Sequence, residues 1–286
     1  MSAATVADLL EAAAARLGAA GVPKPRREAN RLWAWQNRVN PGDSYLGRDR
    51  TALAGRAREF ELAIDRRVRG EPLAYVLGHT GFRRLEIRCD RRALIPRPET
   101  EGVVELALAR RRTGRALDLG TGTGCLALAL ADEGHFSSIV AVDCCGAALG
   151  LAAENVAATG LRVELLRSDL GGALRGRQFD LLVTNPPYLT GAEFESLDPS
   201  VGQWEPRQAL VGGIAGMELV SRILGESPGL LAPGGWLIME VDSHRSGAAA
   251  GLARTVGWEN VGIEKDLFGR ERYLTAQPGH HRGGGV

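Results

Sequence analysis

The residues with the clearest chemical potential are Asn185-Pro186-Pro187-Tyr188, which follow an apolar run, Phe179-Asp180-Leu181-Leu182-Val183-Thr184, expected to be a strand. Asn185 offers a side-chain carbonyl oxygen. The two prolines fix φ and have no N–H to donate, which leaves their carbonyls free to accept. Tyr188 adds a flat aromatic face. Such a set suits a planar nitrogen, either a carboxamide NH2 or the exocyclic amine of a base. Two acceptors take its two hydrogens, and a ring lies against its plane. A proline-stiffened turn that only ends a strand would use the same four residues, so the motifs upstream must decide.

Asp118-Leu119-Gly120-Thr121-Gly122-Thr123-Gly124 follows Arg115-Ala116-Leu117 and precedes the Ala/Leu run from Cys125 to Ala131. This reads as a buried strand ending at Asp118, a glycine turn that lets backbone approach a ligand, and a helix. The glycine spacing is not that of a dinucleotide turn, and no Lys-Ser/Thr pair follows, which excludes a P-loop. Ser138–Val142 is expected as the next strand, with Asp143 at its tip, placed to accept both hydroxyls of a ribose. A third strand, Arg162–Arg167, leads into Ser168-Asp169-Leu170. Successive strands would thus deliver Asp118, Asp143, Asp169 and Asn185 to one carboxyl edge, where open α/β sheets bind ligands. A single acid there could be a helix N-cap; a whole row in register is hard to explain that way.

Together, DLGTGTG, the acid ending the second strand, SDL and NPPY resemble the class I S-adenosylmethionine-dependent methyltransferases that methylate amino groups. The segment Leu94-Ile95-Pro96-Arg97-Pro98-Glu99-Thr100-Glu101 narrows the resemblance to the HemK/PrmC family, the N5-glutamine methyltransferases of peptide chain release factors. Arg69–Gly78, Trp204-Glu205-Pro206 through Ala209-Leu210, and Leu231–Gly235 are similar to that family as well. The likeness is dense from Arg69 to Thr275 and looser before it.

This resemblance implies an α/β fold: a Rossmann-like seven-stranded sheet with a small N-terminal helical domain joined by a β-hairpin. It further implies S-adenosyl-L-methionine as cofactor and a release factor, methylated on the glutamine of a Gly-Gly-Gln motif, as substrate. By resemblance, Asp118, Gly120, Thr121, Gly122, Thr123 and Gly124 line the cofactor's amino-acid and ribose end. Asp143 holds the ribose hydroxyls, and Asp169 with Leu170 bounds the adenine. Asn185, Pro186 and Tyr188 would be catalytic, Asn185 would also touch the cofactor, and Pro187, Arg97 and Glu99 would join them at the substrate. Three positions depart from the family's usual pattern: Cys144-Cys145 after Asp143, the small Leu170, and Glu240-Val241-Asp242. NPPY is shared with DNA and RNA amino-methyltransferases, so an exocyclic amine of nucleic acid, or a glutamine of another protein, is the alternative acceptor. Aromatic residues make up only 5% of the chain, and no base-stacking region is evident.

The 286 residues, 44% of them hydrophobic, suffice for one full α/β domain and a small second one. No apolar run approaches the ~20 residues of a membrane span, and no signal peptide is apparent. Cys89, Cys125, Cys144 and Cys145 lack metal-ligand spacing, no metal is expected, and a reducing cytoplasm is the natural setting. Net charge is +1, yet residues 1–114 carry +8 and residues 115–286 carry −7. Either the two halves attract each other or their arginines are simply solvated, or a basic N-terminal domain docks an acidic partner. The acidic catalytic half argues against direct nucleic-acid binding, and a monomer is expected.

The elements that must position these residues can also be sketched. A docking domain of helices spans 1–84: Val6–Leu17 ending at Gly18, Arg26–Asn37, a turn at Asn40–Asp43, and Thr51–Val68 with Leu53, Phe60, Leu62 and Ile64 as candidate core. Trp33 and Trp35 fall on different helix faces. A linker hairpin, 85–98, pairs Leu85–Cys89 with Arg92–Ile95. The methyltransferase domain, 99–276, contains an irregular lid at Leu189–Gly216 and a helix at Met217–Leu231. A strand at Trp236–Val241 and a helix at Ala248–Val256 follow. A hairpin of Val261–Asp266 with Arg272–Thr275 closes the domain, and 277–286 is a disordered tail.

Overall fold

A computed structural model describes residues 4–279, organised as two compact units. The first comprises Met1–Gly78 with Asp198–Trp204, and the second His79–Leu197 with Glu205–Val286. Among the described residues no helix is long and apolar enough to cross a membrane.

The first unit is helical. Its helices are α1 (Val6–Ala19), α2 (Pro25–Asn37), α3 (Pro41–Leu46), α4 (Ala54–Val68) and α5 (Leu73–Leu77). Thr5 and Asp8 form a reciprocal cap on α1, which satisfies donors that the first turn leaves orphaned. Gly18 lies inside α1; the chain turns at Gly21, whose φ of +76° suits glycine. The expected turn at Asn40–Asp43 is instead the start of α3, because the Asn40 side chain accepts from the Asp43 N–H just ahead of the first turn. Phe60 and Ile64 are fully buried, and the Trp33 ring meets Phe60 edge-on at 5.3 Å. Leu53 and Leu62 are exposed, contrary to expectation: Leu53 stands before the first turn as the N-cap of α4, and Leu62 lies off the buried stripe of Phe60, Ala63 and Ile64. Trp35 is also largely exposed, on the other face of α2 from Trp33.

The second unit opens with a hairpin of β1 (His79–Phe82) and β2 (Leu85–Arg88), turning at Arg83 with a left-handed φ of +54°. The expected pairing with Arg92–Ile95 does not form. Thr80↔Ile87 and Phe82↔Leu85 are the partners, and Arg92–Ile95 is a loop. Its apolar side chains alternate in burial without a strand beside them, so alternation alone misled.

A seven-stranded sheet follows. Chain order runs α6 (Glu101–Arg110), β3 (Thr113–Leu119), α7 (Cys125–Glu133), β4 (His135–Asp143), α8 (Gly146–Thr159), β5 (Glu164–Arg167) and β6 (Phe179–Thr184). After a loop with short helices α9 (Gly191–Glu195) and α10 (Pro199–Gly202, in the first unit) come α11 (Glu218–Glu226), β7 (Leu231–Glu240), α12 (Ser246–Thr255), β8 (Trp258–Lys265) and β9 (Glu271–Pro278). The spatial order is β5-β4-β3-β6-β7-β9-β8, parallel through β7 and antiparallel at β9 and β8. The segment from Met217 is helical only as far as Glu226, with a 3-10 turn at Ser227–Leu230, and β7 begins at Leu231. Gln277 and Pro278, expected in a tail, pair with Glu259 and Trp258; residues 280–286 lie outside the described residues.

Strands β3, β4, β6 and β7 read as near-continuous apolar runs because both faces of the sheet are covered. Leu117, Val140, Leu182, Leu237 and Met239 are completely buried with helix residues such as Leu224 and Ala249. Strand order reverses about β3, since β4 and β5 lie to one side and β6 and β7 to the other, and a crevice opens at the carboxyl ends there.

Half of the +8 excess falls within residues 79–114 and is matched inside the second unit. Arg83 pairs with Glu133, Arg84 with Asp132, Arg92 with Glu154 and Arg110 with Glu264. Attraction between the two halves of the sequence thus accounts for that part of the asymmetry, and +4 remains on residues 1–78.

Candidate active site

A cavity occupies the crevice where the strand order reverses. Leu119, Gly120, Thr121, Gly122 and Thr123 line it from β3 and its turn, Asp143, Cys144 and Cys145 from β4, and Asp169 and Leu170 from the end of β5. Asn185, Pro186 and Pro187 also line it, as do Arg92–Arg97 and Thr100.

Most of the glycine turn's donors are spent internally. The N–H groups of Gly120 and Thr121 both reach the Val142 carbonyl, Gly124 reaches Thr121, and Gly122 reaches the Asp143 carboxylate at 2.9 Å. A phosphate cradle needs such donors turned outward. The cavity's cations are likewise engaged. Arg92 is held by Asp90 and Glu154, and Arg97 by Glu205. The site therefore suits a ligand without phosphates. The second Asp143 oxygen accepts from the Cys145 N–H at 2.8 Å, and each carboxylate oxygen keeps a lone pair for a hydroxyl. Leu119, Leu126, Leu170, Ala148 and Ile223 supply an apolar wall for a flat ring. A carboxylate with lone pairs to spare and an apolar lining in one cavity fit an adenosine carrying a sulfonium amino acid.

The sequence-predicted residues divide. Gly120, Thr121, Gly122, Thr123, Asp143, Asp169, Leu170, Asn185, Pro186, Pro187 and Arg97 all line the cavity; Asp118, Gly124, Tyr188 and Glu99 do not. Asp118 sits beneath the turn. It accepts from the Thr121 hydroxyl at 2.6 Å and the Ala127 N–H at 3.2 Å, so it anchors the turn and the start of α7 from inside. Complete burial outweighs both bonds and pushes its carboxyl up to about 7. Gly124, with φ of +85°, precedes α7 and packs on Ala152. Asp169 is exposed and forms a forked pair with Arg222. Leu170 has a left-handed φ of +46°, unusual for its type, which turns the chain at the cavity rim. Glu99 contributes its backbone carbonyl, which accepts from the Tyr273 hydroxyl at 2.6 Å.

Behind Asn185 lies a buried hydrogen-bond chain that sequence reasoning missed. Asn185 Nδ2 lies 3.0 Å from Thr100 Oγ1, and Thr100 Oγ1 lies 2.7 Å from Glu240 Oε2. Tyr188 donates its hydroxyl to Glu240 Oε1 at 3.3 Å. Glu240 is 1% exposed, and burial raises its pKa. Burial also pushes the Tyr188 phenol well up, with Glu240 next in effect, so Tyr188 stays protonated. Tyr188 is thus tied behind the motif by its hydroxyl. Its sequence signal was a Glu ending an otherwise apolar strand, a residue type that burial rarely leaves unpaired.

Other buried polar residues build the walls. Glu205 accepts from the Ile95 N–H at 3.0 Å and from the Arg97 guanidinium, so the Trp-Glu-Pro stretch pins the Ile-Pro-Arg stretch. Asn155 on α8, completely buried, binds both backbone groups of Arg88 and the Thr123 carbonyl, which clamps the glycine turn. The loop after Tyr188 is closed by Leu189 pairing with Val211. A Cβ at Gly212 would collide with the Pro187 carbonyl oxygen, and one at Gly216 with that of Tyr188. Arg245 gathers Glu193 and the Ala215 carbonyl, and the Thr190 N–H with Arg245 holds the Glu193 carboxyl down to about 2. Among the described residues, no cluster of His, Cys, Asp and Glu could hold a metal, and the four cysteines are free thiols.

Comparison with known proteins agrees with this architecture. The PrmC N-terminal domain family matches residues 8–78, and the Methyltransferase small domain family matches residues 103–198. A release factor glutamine methyltransferase of Cereibacter sphaeroides is 39% identical over 273 residues, covering 95% of this chain and 98% of its own. This chain belongs to the release factor glutamine methyltransferase family. The relative from Deinococcus radiodurans is 38% identical, with 94% of this chain and 97% of the relative covered. A solved methyltransferase from Pyrococcus furiosus shares the fold with a TM-score of 0.53 at 20% identity, covering 68% of this chain and 89% of that one. Membership in the family makes S-adenosylmethionine the cofactor, which the phosphate-free character of the cavity fits.

Replacing Asp143 with Ala removes the diol acceptor and frees the Gly122 N–H. Calorimetry on the folded variant is expected to show S-adenosylmethionine binding weakened by roughly 1.5–3 kcal/mol, the range for hydrogen bonds to a charged group. Unchanged affinity would remove Asp143 from the cofactor site.

Proposed function

We propose that Asn185 and the Pro186 carbonyl grip the side-chain amide of a release factor glutamine, and that the chain methylates its nitrogen. The observation that carries this reading is that Asn185, Pro186 and Asp143 line one cavity, in a family of release factor glutamine methyltransferases. The cofactor supplies an electrophilic methyl on a sulfonium, so little activation is needed on that side.

A glutamine amide nitrogen is a poor nucleophile because its lone pair is delocalised into the carbonyl. No His or Lys belongs to the acceptor motif to remove a proton beforehand. Asn185 Oδ1 and the Pro186 carbonyl accept the two amide hydrogens and hold the lone pair in line with the methyl. As positive charge grows on nitrogen, the two oxygens stabilise it without reorganising. The proton leaves afterwards, once the nitrogen is cationic and acidic. Tyr188 keeps the motif's backbone in place through Glu240. Arg97, paired with Glu205, shapes the entrance as a neutral unit, and Glu99 with Pro187 borders it.

The finer features belong to the same reading. The release factor is the protein partner, the setting is cytoplasmic, and the chain acts as a monomer without direct nucleic-acid binding. Residues 1–78 with their +4 excess dock the factor. Asp118 and Gly124 support the cofactor from below the turn, while Thr121, Thr123, Asp169 and Leu170 border it directly.

Single-turnover methylation of a release factor fragment with the target glutamine tests the acceptor grip. Asn185→Ala is expected to lose about 10²-fold or more, with kcat and kcat/KM falling together and cofactor affinity nearly unchanged. Asn185→Asp keeps an acceptor and should retain partial activity. A near-normal rate in the Ala variant would return the motif to a structural turn, and methyl transfer to DNA or RNA instead of the factor would replace the substrate class.

Docking is checked separately. Arg27, Arg31 and Arg58 are exposed on the first unit. Reversing all three to Glu should raise KM for the whole factor by about an order of magnitude at low salt and flatten its salt dependence, leaving the short fragment unaffected. An unchanged KM for the whole factor would refute the docking role.

A further inference from the structure

We infer that Thr100 and Glu240 act as a positioning relay that fixes which end of the Asn185 carboxamide faces the acceptor nitrogen. The inference rests on the acceptor role proposed for Asn185. A carboxamide has two ends of nearly equal size, one that only accepts and one that only donates. Rotating it by a half-turn changes its shape little and reverses its chemistry. Facing a glutamine NH2, the oxygen end accepts one of its hydrogens, whereas the NH2 end repels them. Strand ends and prolines do not choose between these two states.

The hydrogen-bond chain makes that choice. Thr100 Oγ1 has one hydrogen and lies between Glu240 Oε2 at 2.7 Å and Asn185 at 3.0 Å. The relay requires Glu240 as a carboxylate: burial works against that form, while the Thr100 and Tyr188 hydroxyls and the nearby Arg272 charge favour it. A carboxylate has no hydrogen to give, so the Thr100 proton goes to Glu240. The Thr100 oxygen then faces Asn185 with lone pairs alone, and only the Asn185 NH2 can meet it. The Asn185 oxygen is left for the opposite direction, and Asn185 lines the cavity. The sense of each donor is therefore set by the one group in the chain that cannot donate. Two further contacts keep the relay from turning. The Tyr188 hydroxyl holds the other Glu240 oxygen, and the Thr100 N–H binds the Arg97 carbonyl at 3.1 Å. Thr100 is 2% and Glu240 1% exposed, so water does not compete for these bonds.

Three variants separate this role from simple packing. Thr100→Val keeps the shape and removes the hydroxyl. Thr100→Ser keeps the hydroxyl. Glu240→Gln puts a donor where only an acceptor stood, so the Thr100 proton can turn toward Asn185 and favour the wrong amide end. With the full-length chain and a release factor fragment, Thr100→Val and Glu240→Gln should each lower the single-turnover rate by about 10–100-fold. Cofactor affinity should stay within about twofold, and Thr100→Ser should recover most of the rate. Adding Thr100→Val to Asn185→Ala should cost nothing more, because the relay acts only through Asn185. A Thr100→Val rate equal to wild type, or losses that multiply in the double variant, would overturn the relay while leaving the glutamine reading standing. Absence of transfer by the wild-type chain to the fragment would overturn the glutamine reading, and this inference with it.

Discussion

A carboxylate buried at the end of a central strand must find donors, and much of this site's layout answers that demand at Glu240. An unmet carboxylate in the interior costs several kcal/mol. Here the two hydroxyls of Thr100 and Tyr188 supply the donors, from segments 140 and 52 residues away in sequence. The ends of β6 and β7 and the start of α6 are thereby bound into one rigid corner. Because these bonds are directional, the corner has a single arrangement, and the acceptor motif inherits that arrangement. Removing either hydroxyl leaves the charge in place without its partner, which is a larger loss than the bond itself.

The same device recurs around the cavity. Glu205, Asn155 and Asp118 are each buried polar groups whose partners are backbone or side chains of a neighbouring loop. Loops carry function but are the least constrained part of an open α/β sheet. Asn155 on α8 and Asp118 on β3 thereby lend loop residues the precision of the scaffold, and Glu205 ties one loop to another. The cavity so formed has an apolar lining, and most donors of its glycine turn are spent internally, which suits a sulfonium nucleoside better than a nucleotide.

The sheet, its strand ends and the glycine turn were legible because their signals are local: an apolar run of strand length, Gly at the left-handed positions 120, 122 and 124 of the turn, an acid or Asn at the tip. β6 was read to the residue as Phe179–Thr184. The hairpin at His79–Arg88 was not, since His79-Thr80-Gly81 has no alternating pattern and its pairing is decided by contact with Leu85–Arg88. Leu53 and Leu62 were placed in the core by residue type, though Leu53 precedes α4 as its N-cap and Leu62 lies off the buried stripe. At the site, Gly120–Thr123, Asp143, Asp169, Leu170 and Asn185–Pro187 were readable from motif and strand end. Thr100, Glu240 and Asn155 were not, because their meaning lies in partners far along the chain. Tyr188 and Asp118 carried the right chemistry for contact with a ligand, yet their polar groups are used inward.

The most direct measurement of the central claim is a crystal structure with S-adenosylhomocysteine and a glutamine-containing release factor peptide. The account requires the glutamine nitrogen to lie within hydrogen-bond distance of Asn185 Oδ1 and the Pro186 carbonyl, with Asn185 Nδ2 still on Thr100 and the Asp143 carboxylate on the ribose diol. A glutamine nitrogen facing any other pair of groups, or an Asn185 amide that has left Thr100, would contradict it.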